Sequence, residues 1–118
     1  MAPIDGWIGV DLDGCLAHYG EWKGPEVIGK PIKKMADRLR KWIKEGREVR
    51  IMTARVSSMY PDYQTNEKVI KDWLIENFGE EFGDIEITNE KDGLMVELWD
   101  DRCVQVIPNT GERADGKD

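Results

Sequence analysis

The sequence predicts an α/β domain on a mainly parallel, five-stranded sheet covered on both faces, and three observations carry that expectation. Short apolar runs alternate with longer stretches of helical periodicity, the order that builds strand–helix–strand units. Glycine and proline punctuate the segments, as at Pro31, Gly46, Gly79 and Pro108. A chain of 118 residues suits one domain, burying about 65% of its unfolded surface in a single core.

The first strand covers residues 7–11, an apolar run that ends in a turn signal. Residues 17–31 hold Gly20, Gly24, Pro25, Gly29 and Pro31 and read as a loop. A helix follows over 32–45, where Met35, Ala36, Leu39, Trp42 and Ile43 recur at helical spacing and Gly46 supplies the stop. The second strand, 48–52, leads to Thr53, and 54–61 form a second loop. The second helix, 62–77, carries the apolar stripe Val69, Ile70, Trp73 and Leu74 and ends at Gly79. Strands three, four and five are read at 85–88, 95–99 and 103–107. The gap between Thr88 and Met95 is too short for a crossover helix and reads as a turn or one helical turn. Residues 1–108 thus form one domain, and the polar stretch 109–118 is expected to be a frayed tail.

Composition narrows the class. No run of about 18 apolar residues is present to span a membrane. The amino terminus lacks a basic segment followed by an apolar one, so no secretory signal and a cytoplasmic location are expected. In that setting Cys15 and Cys103 are expected as reduced thiols, Cys15 as a small packing residue. A net charge of −7 speaks against binding long nucleic acids. The charge is uneven, however. Ten basic and three acidic residues lie between Lys30 and Arg55, which fits the solvated face of an amphipathic helix and leaves an anionic partner as the alternative. Between Glu76 and Asp101 there are ten acids, and Lys91 is the lone base.

The most informative segment is Trp7-Ile8-Gly9-Val10-Asp11-Leu12-Asp13-Gly14. Carboxylates two residues apart share a face while the chain is extended. At the carboxyl end of a strand they sit where open α/β sheets bind ligands. Two such acids repel, and a hard divalent cation with oxygen ligands relieves the repulsion. A magnesium site with a nucleophilic carboxylate is one reading, and an acidic β-turn is the plainer one.

Asp11-Leu12-Asp13-Gly14 resembles the first motif of the haloacid dehalogenase (HAD) superfamily of phosphohydrolases. The superfamily's later elements have look-alikes in its order: Thr53 after an apolar strand, then Lys91, then Asp100-Asp101 after the strand 95–99. The four span about residues 7–107. The resemblance implies a three-layer, Rossmann-like, HAD-like sandwich and a magnesium-dependent phosphatase that works through an aspartyl-phosphate. It makes Asp11 the nucleophile and Asp13 the acid and base. It assigns the Mg2+ to Asp11, Asp100 and the backbone carbonyl of Asp13, with Asp101 as a supporting acid. Thr53 and Lys91 would bind the phosphoryl oxygens. Arg55 would bind a substrate anion or form a structural ion pair, and the same choice holds for Arg102. Cys15 stands where the superfamily more often has threonine. His18 reads as a solvated loop residue, and Trp22 is the tryptophan placed to line a pocket, whereas Trp42 and Trp73 lie on apolar helix faces.

Neither insertion point of the superfamily holds enough residues for a cap domain with its own core, which needs about 40. A small capless member is therefore implied, acting on a phosphorylated small molecule or macromolecular end, with a homo-oligomer as an option. The competing expectations are a non-catalytic or regulatory module that binds phosphate or magnesium, and a phosphotransferase with the same site.

Overall fold

The computed structural model describes residues 5–117; the first four residues of the expected domain and the last of the expected tail lie outside them. Four strands form one sheet: β1 (Trp7–Asp11), β2 (Glu48–Met52), β3 (Glu86–Thr88) and β4 (Met95–Trp99). Their order is β3-β2-β1-β4, and every neighbouring pair is parallel. The α/β class and the parallel sheet are those the sequence predicts. β2 and β1 are the inner strands, with Val10 of β1 opposite Ile51 of β2 and Trp99 of β4.

Helix α1 (Lys33–Lys44) connects β1 to β2, and α2 (Tyr63–Phe78) connects β2 to β3. α1 buries Met35, Leu39 and Trp42 and places Lys41 and Lys44 in its last turn, where positive charge meets the negative end of the helix dipole. Gly46 ends it with φ +77°, a left-handed conformation that residues with a side chain rarely adopt. α2 buries Ile70, Trp73 and Leu74.

Both helices lie on the same face of the sheet. Alternate strand residues share a face, and Ile8, Val10, Val49 and Ile51 form one continuous core with Leu39 and Trp42 of α1 and Ile70 and Leu74 of α2. The other face carries Trp7, Gly9 and Arg50, and no helix covers it among the described residues. The expected three-layer arrangement is therefore corrected to one helical layer. The cause is the β3–β4 connection, only six residues long at 89–94. β3 ends beside the end of β2, whereas β4 starts beside Trp7, so this strap must cross the second face diagonally. Trp7 donates its indole N–H to Asp92 at 2.9 Å, and Arg50 reaches the same carboxylate at 3.4 Å while lying 4.4 Å above the Trp7 ring. The strap thus seals Trp7 completely, and Glu48 and Glu86 complete the ion pairs of Arg50.

The fifth strand is absent from the sheet. Residues 103–107 fold back on 112–114 instead, with the Ile107 N–H bonded to the Glu112 carbonyl and the Ala114 N–H to that of Gln105. Asn109 makes the reversal with φ +65°. A partner a few residues away closes at little entropic loss, and it captures a segment whose alternation alone cannot specify a distant sheet edge. Residues 109–117, read as a tail, supply that partner.

Candidate active site

Parallel pairing brings the strand ends side by side. Asp11 closes β1, Thr53 follows β2, and Asp100 and Asp101 follow β4. Asp11, Asp100 and Asp101 each present an oxygen within 4.8 Å of the other two. The turn after β1 makes this approach possible. Gly14 sits at φ +84°, and a β-carbon there would meet the Asp101 carboxylate at 2.5 Å. Only glycine supplies both the backbone conformation and the space. On the β4 side, Asp100 accepts the Arg102 N–H at 2.7 Å, which fixes the turn.

The crowding shows in the protonation of Asp11. Burial, a hydrogen bond to Asp101, and then the charges of Asp100, Asp101 and Asp13 push its carboxyl up to about 8. Cys15 lies buried behind the cluster with its thiol against the Trp99 carbonyl at 3.4 Å, and burial pushes that thiol up to about 11. A thiol in that state packs and does not attack.

Asp13 has a different partner. Arg55 grips both its oxygens, at 2.8 and 2.9 Å, in a forked ion pair. The same guanidinium donates to the carbonyls of Pro25 and Val27, at 3.1 and 2.9 Å, so four of its N–H bonds go to the protein itself. Its side chain is 5% exposed. Thr53 accepts the Arg55 backbone N–H at 3.2 Å and starts the short 3-10 turn Ala54–Val56, while Asn66 of α2 donates to the Arg55 carbonyl at 2.8 Å. Arg55 therefore pins the 17–31 loop to the strand ends. The structure places it as a tie between Asp13 and that loop rather than as a free cation.

A cleft of about 970 Å³ opens over the strand ends. Asp11, Asp13, Thr53 and Asp100 line its inner part, and the exposed Tyr19, Trp22, Met59 and Tyr60 its outer part. No family model, curated protein or solved structure matches this chain. Arg102 lines the cleft; Lys91, on the exposed strap, and Asp101 do not, although Asp101 closes on Asp11 from the side. His18 is exposed in the first loop and does not line the cleft. A smaller hollow of about 320 Å³, lined in part by Arg47, Glu48 and Ile85, lies at the opposite ends of the strands.

Sequence reasoning overlooked Tyr19, Tyr60 and Asn66. The tyrosines sit in irregular loops, whose course no periodicity reveals. Asn66 stands inside a helix at a position marked only by its lack of apolar character, and among the described residues its Oδ1 is the buried side-chain polar atom without a partner.

The raised Asp11 makes stability depend on pH. Between its ordinary value near 4 and about 8, the folded protein holds a proton that the unfolded chain has released, so stability falls as pH rises through that window. Asp37, Asp92 and Asp115 are held below the usual carboxylate range, Asp92 first by the Trp7 N–H, and act below the window. Urea unfolding of metal-free protein is expected to show a lower midpoint at pH 8 than at pH 5, and Asp11→Asn is expected to remove most of the difference. An unchanged fall in the variant would place its cause elsewhere.

Proposed function

We propose that this chain is a small, capless, HAD-like phosphatase that hydrolyses a phosphate monoester with Asp11 as nucleophile and magnesium as cofactor. The observation that carries the reading is the meeting of Asp11, at the end of inner strand β1, with Asp100 and Asp101 at the end of its neighbour β4, beneath an open cleft. The donors fit the cation. Three carboxylates within 4.8 Å form a set of hard oxygen ligands, and the proton that Asp11 retains to about 8 marks a place where positive charge is favoured. Asp11 and Asp100 would hold it with the backbone carbonyl of Asp13, and Asp101 lies close enough to join. Magnesium bound there supplies the charge that offsets repulsion between a carboxylate and phosphoryl oxygens.

The chain's own groups account for the remaining chemistry. An Asp11 oxygen forms a bond to phosphorus as the ester P–O bond breaks, giving an aspartyl-phosphate. Asp13 delivers a proton to the departing oxygen, then takes one from the water that attacks phosphorus and frees Asp11 and inorganic phosphate. Arg55 engages both Asp13 oxygens, so Asp13 serves in these two steps by turning from Arg55 into the cleft. Thr53 accepts the Arg55 backbone N–H through its hydroxyl oxygen, which leaves the hydroxyl proton to donate to a phosphoryl oxygen. Arg102 is the cleft-lining cation free to meet the phosphoryl charge, whereas Lys91 reaches it only if the strap shifts.

The test is phosphate release from p-nitrophenyl phosphate with magnesium and after exhaustive chelation. Chelation is expected to lower the rate at least about a hundredfold, on the scale of several kcal/mol that a metal contributes. Full activity in metal-free protein would remove magnesium from the reading.

A further inference from the structure

We propose that the cleft selects a nucleoside monophosphate, holding the base against Trp22 and Tyr60 at its mouth while the phosphate sits over Asp11. The inference rests on the phosphatase reading for its phosphate and on a separate observation for its base. Among the described residues, the exposed aromatic side chains are Tyr19, Trp22 and Tyr60, and all three line this one cleft. The other tryptophans do packing work: Trp7, Trp42 and Trp73 are buried, and Trp99 packs at a tilt against Trp42 with ring centroids 5.3 Å apart. Folding thus leaves the three most exposed aromatic rings of the described residues around the acids.

Trp22 is also held ready. The Arg55 guanidinium lies 4.8 Å from its ring centre, yet the residue stays 55% exposed. An aromatic ring fixed from one side and open on the other is a stacking platform, and stacking tolerates any base because each has a π-face. Trp22 comes from the first loop and Tyr60 from the second, and both line the cleft.

Size and polarity point the same way. A cleft of about 970 Å³ is far larger than a phosphoryl group requires, and lies within the range of small-molecule sites that bury a ligand. Ser57 and Asn89 line it as well and offer a hydroxyl and an amide to a polar linker such as a sugar. Four aspartates line the cleft, Asp11, Asp13, Asp62 and Asp100, against Arg102 and the already engaged Arg55 among the described residues, a balance that favours a single phosphate over a di- or triphosphate, whose extra charge the acids would repel.

The experiment compares phosphate release from AMP, CMP and ribose 5-phosphate with magnesium, in wild type, Trp22→Ala and Tyr60→Ala. Ribose 5-phosphate keeps the sugar and phosphate and lacks the base. The expected result is a kcat/KM at least about tenfold higher for the nucleotides, the scale of one stacked base. That ratio is expected to fall toward one in both variants. Ribose 5-phosphate turned over as well as AMP, or a ratio untouched by both substitutions, overturns the proposal and leaves the phosphatase reading standing. If no substrate releases phosphate, that reading fails, and tryptophan fluorescence titrated with AMP decides the stacking proposal. Saturable quenching that is lost in Trp22→Phe supports it, and no quenching overturns it.

Discussion

Asp11→Asn is expected to lower phosphate release at least about a thousandfold, the scale of removing a nucleophile from an enzyme that uses one. The fold is expected to survive intact. In metal-free protein near neutral pH, Asp11 already carries a proton and bonds to Asp101, and an asparagine amide keeps the size and the donor. Steady-state release, paired with circular dichroism and a urea transition at pH 7, separates the two effects. An unfolded variant would make Asp11 a structural residue. A folded variant with wild-type turnover would move the nucleophile elsewhere, and with it the whole reading of the strand ends as a catalytic centre.

Arg55→Ala is expected to cost about 3–5 kcal/mol, the range for removing one partner of a buried ion pair. The energy is concentrated because the guanidinium is almost entirely buried and serves Asp13, Pro25 and Val27 together. Its loss leaves the Asp13 carboxylate and two loop carbonyls without their donor, and the carboxylate only partly in reach of water. Urea unfolding reads the total. Limited trypsin digestion reads the cause, since the released 17–31 loop offers Lys23 to the protease. Arg55→Lys is expected to recover only part of the loss, because an ammonium cannot make the forked contact. A change below about 1 kcal/mol would mean the pair behaves as an exposed surface bridge.

These two residues mark where the sequence is legible and where it stops. Asp11 was readable because local signals converge on it: a buried strand, a turn glycine and a second acid. The same holds for Thr53 and for Asp100, each following an apolar run, and for α1 and α2, whose apolar stripes declare one face. The choice of partner was not readable. Asp13 and Arg55 lie 42 residues apart, and nothing in the chain says which of many opposite charges will meet. Val104 and Val106 alternate as a strand should, yet the alternation does not name an edge to join, and the nearby 112–114 segment captured them. Lys91 depended on the path of the strap, which Trp7 and Arg50 set from across the sheet by holding Asp92. The position of Tyr60 followed from a loop held by Asn66 and Arg55 rather than from any repeating pattern.

The helix-free strap has a consequence for motion. Residues 7–88 contain three strands and both helices, while β4 pairs in the sheet with β1 alone, at the outer edge, and touches α1 through Trp99 against Trp42 and Arg38. Opening of β4 is then the cheapest large fluctuation of the molecule, in the sense in which cooperative units detach before the whole unfolds. Asp100 and Asp101 depart with it, and once Asp11 loses its proton, above about pH 8, their repulsion from Asp11 pushes in that direction. A cation bridging Asp11 and Asp100 works as a latch across the β1–β4 seam. The amides of Val96 to Trp99 should therefore exchange with deuterium much more slowly once the latch is set, so that a backbone strand, rather than a side chain, reports whether the site is filled.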